Sequence, residues 1–391
     1  MKNKILLLSL LLTLLCTSCH QKIKNTSLTI QKDSAIVNLT VDLKNYQGVP
    51  YDSLIDKISF IRLETNEQCL IGETSQIICT DSLIFISDRR VSKSIFCFDR
   101  QGNFKYKVGA VGQGPGEYAG YYCYITLSPN KEYLVVMDWG KIIYYDYAGN
   151  FIKEIMTPQK HALRNIEFVD NNLASFEFSG NPEVNERPML SVYNEQKKLI
   201  LSAFSTIETE HFILSPSYPL RKFGNELYFN LPYSDTFYKV TNETISKAYK
   251  INFIGGGAPP IEKGMDCRVY SELLDKVTYC EDFTILKDAA VFELRTPSGY
   301  GSPFIVYSFA TKKARNCNMT SNNPLFNFHN IPIARDGDNT LVVPNSSLKL
   351  IGVKENMYNS PNIDKAVLSK LYDGLTEESN PVLFFFQIKA E

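Results

Sequence analysis

The chain has 391 residues, 44% hydrophobic and 21% charged, with a formal net charge of −1. That length allows one large domain or two ordinary ones. The balanced charge excludes the basic field that binding to nucleic acid or to an acidic membrane surface would require. Aromatic residues are abundant, with 24 Phe and 23 Tyr against one Trp, a bias that favours strands.

In chain order, "MKNKILLLSLLLTLLCTSCHQK" opens with Lys2 and Lys4 and continues as an apolar run from Ile5 to Leu15. This pattern predicts an export signal too short to span a bilayer. Cys16-Thr17-Ser18-Cys19 resembles a bacterial lipobox, with cleavage leaving Cys19 as the lipidated N-terminus. Cys16 departs from the Leu favoured at that position, and an ordinary secretory signal is the competing reading. His20 does not resemble an inner-membrane retention signal, and Gln21-Lys22-Ile23-Lys24 lacks the acidic run of a surface-export signal. The expectation is an outer-membrane lipoprotein facing the periplasm, with the cell surface as the alternative, touching the membrane only through its lipid. Residues 1–18 are read as signal peptide, 19–45 as tether and N-terminal extension, and 46–391 as one domain.

Seven cysteines lie beyond Cys19: Cys69, Cys79, Cys97, Cys123, Cys267, Cys280 and Cys317. They contain no C-x-x-C, so zinc-ribbon and thioredoxin-like readings fail. Cys79 and Cys97 sit in apolar runs and read as small buried hydrophobes. An oxidising compartment would permit one disulfide, with Cys267–Cys280 as the candidate pair.

A repeat follows. "LIFISDRRVSKSIFCFDRQGNFKYKVG" and "LVVMDWGKIIYYDYAGNFIKEI" each carry an apolar run ending in Asp (Asp88, Asp138), a polar loop and a second run ending in Asp (Asp99, Asp146). A Gly-Asn turn and an aromatic come next (Phe104, Phe151), about 47 residues apart in the two copies. Asp with Gly-Asn between strands is hairpin chemistry. Looser copies at 166–204, 223–251, 283–315 and from 331 make six units of roughly sixty residues. Radial repetition of such meanders predicts an all-β, six-bladed β-propeller of four-stranded antiparallel blades. "KISFIRLE" (57–64) and "PVLFFFQIK" (381–389) are expected to share the last blade and close the ring, which would otherwise leave open edges. Two short helical insertions are expected, at 266–277 and 362–375. In the second, Val367, Leu371 and Leu375 form a narrow apolar stripe beside Leu368, expected to pack on the ring.

"FIRLETNEQCLIGE", "GAVGQGPGEY", "YSDTFYKV" and "ESNPVLFFFQIK" together resemble landmarks of a family of bacterial six-bladed β-propeller lipoproteins, themselves similar to NHL-repeat propellers. The resemblance implies fold and cellular address; the family's function is largely unassigned.

The glycine-rich "KVGAVGQGPGEYAG" (107–120) is not a phosphate cradle on this reading. It lacks Gly-Lys-Ser/Thr and the Rossmann spacing, and a strand rather than a helix follows it. A connector between blades fits better, with glycine permitting positive φ and Pro115 fixing a turn.

By fold-level analogy, function is expected on the ring face that carries the blade-to-blade connectors and the loops between second and third strands. Arg89, Arg90, Trp139, Lys141, Tyr233, Asp235, Arg295 and Tyr300 are the candidate binding residues there, rich in the types enriched at binding hot spots. Chemistry is sparse. The four histidines form no zinc motif, no Gly-x-Ser-x-Gly occurs, and "RDGDNT" reads as a hairpin turn. No catalytic residue, resident metal or cofactor is assigned. The expected function is a non-enzymatic module that presents one face to a protein, peptide or glycan of the envelope, as a monomer or as a subunit of an envelope complex. The alternative is a calcium-dependent lactonase- or esterase-like hydrolase, with ligands from Asp88, Asp138, Glu177 and Asp235.

Overall fold

The computed structural model describes residues 36–42, 48–120, 123–138, 140–157, 163, 165–177, 188–205, 209–210, 218–262, 264–297, 304–318, 325 and 334–389. Five antiparallel meanders follow in order at 76–108, 124–156, 165–205, 220–254 and 279–318. A sixth combines Ala334–Asp336, Thr340–Asn345 and Val382–Ile388 with Ile55–Arg62. The first strands of successive blades touch around a common axis, so the six sheets form a propeller.

The repeat seen in the sequence is a repeat of geometry. Asp99 Oδ1 accepts from the backbone N–H groups of Gln101 and Asn103 at 3.0 and 2.9 Å, and Asp146 does the same for Ala148 and Asn150 at 2.9 and 2.8 Å. Gly102 and Gly149 follow at φ 90° and 86°, a region glycine enters without steric cost. A side chain at Gly102 would also strike the Arg62 carbonyl 2.0 Å away. In each of blades 1 to 4 the pairing of third and fourth strands carries one register shift, beginning with Cys97/Phe98 and Tyr144/Tyr145.

The N-terminal chain closes the ring and also covers its rim. Strand β3 (Ile55–Arg62) pairs antiparallel with Val382–Ile388, with Ile58 opposite Phe386 and Phe60 opposite Phe384. The two predicted segments therefore share the last blade. Strand β1 (Val37–Asp42), from the stretch expected to extend the tether, adds in parallel to the outer strand Ile245–Ile254 of blade 4. Strand β2 (Val49–Pro50) does the same to blade 5. Those blades thus have five strands instead of the expected four. Two consecutive outer edges, which would present unpaired backbone groups, are thereby covered.

Apolar residues alternate along each strand and meet between neighbouring blades. Phe176, Leu190 and Phe229 fill one such interface and Phe85, Ile125 and Val136 another. Three α-helices are described. The first, α1 (Cys267–Leu274), lies in the connector from blade 4 to blade 5; α2 (Ser347–Tyr358) and α3 (Lys365–Tyr372) form the loop between the second and third strands of blade 6. The α3 stripe packs on the ring as expected, with Leu368, Leu371 and Leu375 buried among Leu350, Val343 and Phe384. The additional helix, α2, has Gly352 in its middle and an exposed Leu348, so its sequence shows no clean apolar face.

No disulfide joins the seven described cysteines, which corrects the expected Cys267–Cys280 pair. The two expected partners lie in different elements, Cys267 at the start of α1 and Cys280 in the first strand of blade 5. The cysteines serve instead as small core residues, and burial pushes the Cys97 thiol up to about 11 and that of Cys317 to about 12.

Candidate functional site

The residues nominated on the connector face lie around the whole ring. Arg90 is solvated, its side chain 76% exposed, in a loose pair with Glu73. Lys141 bonds Glu154 at 3.3 Å and the Gly114 carbonyl at 3.4 Å. Tyr233, Asp235 and Arg295 converge near blades 4 and 5. Tyr233, at φ 58°, packs edge-on against Tyr270 of α1 and Tyr279. Asp235 accepts from Thr236 at 2.8 Å, and Arg295 pairs with Glu281 at 3.2 Å. Tyr233 and Asp235 line a cavity of about 270 Å³ with Lys250 and Tyr279. Trp139, Tyr300, Cys19 and residues 179–187 lie outside the described residues.

Asp88 and Asp138 hold the connectors. Asp88 accepts from the backbone N–H groups of Gly72, Glu73, Val91 and Ser92 at 2.8 to 3.2 Å. Burial alone would raise this carboxyl, but the four donors outweigh it and hold it below the usual range. Asp138 receives the Ala119 N–H at 2.7 Å in the equivalent place of blade 2. Among the described residues no group of three or more His, Cys, Asp or Glu is arranged to hold a metal ion.

The glycine-rich loop is a connector. Ala110–Val111 pairs with Glu117–Tyr118, and Gly109, Gly116 and Gly120 all have positive φ. Its amides enclose an internal anion, since the Gly114 N–H donates to Glu117 Oε2 at 2.7 Å. A Cβ on Gly112 would lie 2.1 Å from that oxygen. The loop has no room for a phosphate beside its own carboxylate.

The larger cavity is the central channel, about 850 Å³, lined by the first strands of the blades. It opens between the turns joining first and second strands, among Asp81, Lys131, Asn225 and Asp338. That is the ring face opposite the one nominated from sequence. Its other end is crossed by Tyr218, only 4% exposed, whose hydroxyl donates to the Ser75 carbonyl of the opposite blade. Two guanidiniums flank the Tyr218 ring, Arg89 at 5.5 Å and Arg221 at 5.2 Å, and the Tyr124 ring lies 5.4 Å away. Arg89, nominated from sequence as a binding residue, is instead part of a plug.

The channel wall follows from strand alternation. In Leu220-Arg221-Lys222-Phe223, Leu220 packs toward blade 3 and Phe223 toward blade 5. Arg221 accordingly reaches Asp282 of blade 5, with Nε 3.3 Å from Oδ1. Lys222 turns toward Glu167 of blade 3. Glu167 accepts from Thr126 at 2.8 Å and Tyr124 at 3.1 Å, yet burial still raises its carboxyl. Arg335 reaches from blade 6 to blade 4, stacking on Phe223 at 4.8 Å and donating to the carbonyls of Lys222 and Gly337 at 3.3 and 3.1 Å. Arg100 pairs with Asp336. Behind the wall, Glu293 is 1% exposed beside Asp282, and burial first, then that neighbouring charge, pushes its carboxyl far up. No sequence motif marked Tyr218, Glu167, Lys222 or Arg335, because their partners lie in other blades.

A solved structure of a Bacteroides fragilis NCTC 9343 protein, described as exported, is similar at 21% identity with a TM-score of 0.73, covering 90% of this chain and 99% of that one. The extracellular domain of a two component system from B. thetaiotaomicron gives 14% identity and a TM-score of 0.39, over 73% of this chain and 32% of that one. A protein of unknown function from Bacteroides caccae gives 11% and 0.39, over 63% and 81%. The first likeness supports the propeller fold; the other two are too distant to argue from. No curated protein matches the chain. The family described as domain of unknown function DUF4934 matches residues 34–387, almost the whole propeller including strand β1, and the chain belongs to that family.

Proposed function

We propose that the chain is an envelope lipoprotein, lipidated at Cys19, that acts as a non-enzymatic binding module with the central channel as its ligand site. The observation that carries this reading is the blind cup. A channel of about 850 Å³ is within the size range of small-molecule sites, and it is closed at one end by Tyr218. A blind cup admits a small molecule or the end of a chain, such as a peptide terminus or a terminal sugar, rather than a continuous strand. The donor set that the calcium-dependent hydrolase reading needs is otherwise engaged, with Asp88 and Asp138 bonded to backbone N–H groups.

The test is a thermal-shift screen of peptides, saccharides and small metabolites against the intact chain and against Thr284→Trp, which fills the cup wall. Ligands that stabilise the parent and not the variant support the reading. Ligands that stabilise both equally would move the site elsewhere. A rise in midpoint with Ca²⁺ that a chelator reverses, together with turnover of esters or lactones, would replace it with the hydrolase. Cys19→Ala should move the protein from the detergent phase to the aqueous phase if the lipid anchor is real.

A further inference from the structure

We infer that the open mouth of the cup binds an oxyanion, the carboxylate or phosphate of a small solute, between Lys222, Arg335 and Lys131. This rests on the reading of the cup as a ligand site and adds the chemistry of what it takes.

Charge pairing separates the cations of the channel into two groups. Arg221 is matched by Asp282 and Arg100 by Asp336. At the mouth, Lys222, Arg335 and Lys131 line the same cavity, and none has a carboxylate within ion-pair distance among the described residues. Each comes from a different blade. Lys131 stands on the turn between the first two strands of blade 2, held at φ 58° while its carbonyl accepts from Tyr147 at 2.6 Å. Arg335 is fixed by its two carbonyl acceptors and by the Phe223 ring. Its guanidinium has donors left over, since two of its five N–H groups satisfy those carbonyls.

The acidic groups nearby offset this set only in part. Glu167, the strongest opposite charge on Lys222 and Arg335, offsets one of the three positive charges without coming within ion-pair distance, its oxygens accepting from Thr126 and Tyr124. Asp338 is paired with Lys287 at 2.8 Å. Asp170 accepts from Asn242, and Asp81 stands exposed on the blade 1 rim. Burial pulls the Lys222 ammonium below its usual range; the charge of Glu167 opposes this most strongly, and the charges of Lys131 and Arg335 add to the lowering. Like charges held together in a partly dry site cost stability. An arriving oxyanion would relieve that repulsion and gain charge-assisted hydrogen bonds.

The experiment uses the intact chain, titrated calorimetrically with sodium glucuronate and with inorganic phosphate at matched ionic strength, with glucose as the neutral control. The expected result is one site for at least one of the two anions and none for glucose. Lys222→Met, which keeps the aliphatic stem, should weaken binding about tenfold, as loss of a charged hydrogen bond implies. Lys131→Gln, on an exposed turn, should weaken it less and leave folding intact. Binding of glucuronate alone identifies a carboxylate ligand, and binding of phosphate alone a phosphoryl ligand. Absence of heat with both anions overturns the inference, as does anion binding that both variants retain. A neutral ligand that binds the parent and is lost in Thr284→Trp would sink the oxyanion assignment while leaving the cup as the binding site. Retention in Thr284→Trp would remove the cup itself.

Discussion

The two ends of the central channel use similar residues to opposite effect. At the connector end, Arg89 and Arg221 stack on Tyr218, Tyr218 bonds across the ring to Ser75, and Arg221 is matched by Asp282. At the turn end, Lys222, Arg335 and Lys131 face a cavity with no carboxylate at ion-pair distance among the described residues. At the first end the guanidiniums and rings stack on one another across the axis, which builds a plug. At the other, three cations without a carboxylate at ion-pair distance among the described residues line the opening, which builds a mouth. Residue type therefore says little about function here; what each cation packs against says more.

Substitutions at the two ends should separate accordingly. The largest effect is expected for Tyr218→Ala, which removes a buried ring and should destabilise by about 3 kcal/mol or more while opening the channel at both ends. Denaturant unfolding would measure the first effect, and access of a small quencher to Tyr124 the second. A loss near zero would mean that Tyr218 does not hold the plug. Asp88→Asn comes next. An amide offers one acceptor oxygen where the carboxylate offers two, so some of the four backbone donors lose their partner, at a cost of about 2 kcal/mol. Because this carboxyl titrates lower in the folded protein than in the unfolded chain, its contribution is present above the ordinary carboxylate range and is lost as pH falls through its folded value. The variant should therefore lose less stability than the parent on acidification.

Glu293→Gln should act in the reverse sense. Burial raises the Glu293 carboxyl, so folding favours its acid form. Stability from this group is full below the ordinary carboxylate range and declines as pH rises through it toward the folded value. The amide variant should flatten that slope and be at least as stable as the parent at neutral pH. An unchanged pH profile would show that Glu293 does not titrate as its burial implies. The smallest effect on stability belongs to Lys222→Met, expected to lie within about 0.5 kcal/mol of the parent or to stabilise it. Marked destabilisation there would reveal an ion pair and erase the contrast between the two ends.

The elements legible in the sequence were those with local causes. Asp99-Arg100-Gln101-Gly102-Asn103 contains its own turn chemistry, so the hairpin and its copy 47 residues later could be read directly. The glycines at 109, 116 and 120 were read as connector positions, and their positive φ agrees. Closure was legible because two apolar strand-like runs lay near opposite ends of the chain. The coverage of blades 4 and 5 by β1 and β2 was not, since a parallel strand added at a distant edge has no turn to announce it. The candidate site was the least legible part. Arg89 was picked out by residue type, but its place beneath Tyr218 depends on two blades meeting across the axis.

By itself, then, the sequence determined the repeat, the all-β class, the number of blades, the strands that close the ring and the places of two helices. Each follows from short-range hydrogen bonding and from alternation of apolar residues along strands. Only the tertiary structure decided which face holds the larger cavity, which cations have partners, and that an N-terminal segment covers two outer edges. Those outcomes depend on separations such as the 143 residues between Tyr218 and Ser75. Such distances are brought to contact range by closing the ring, a constraint shared by all six blades and contained in none of them.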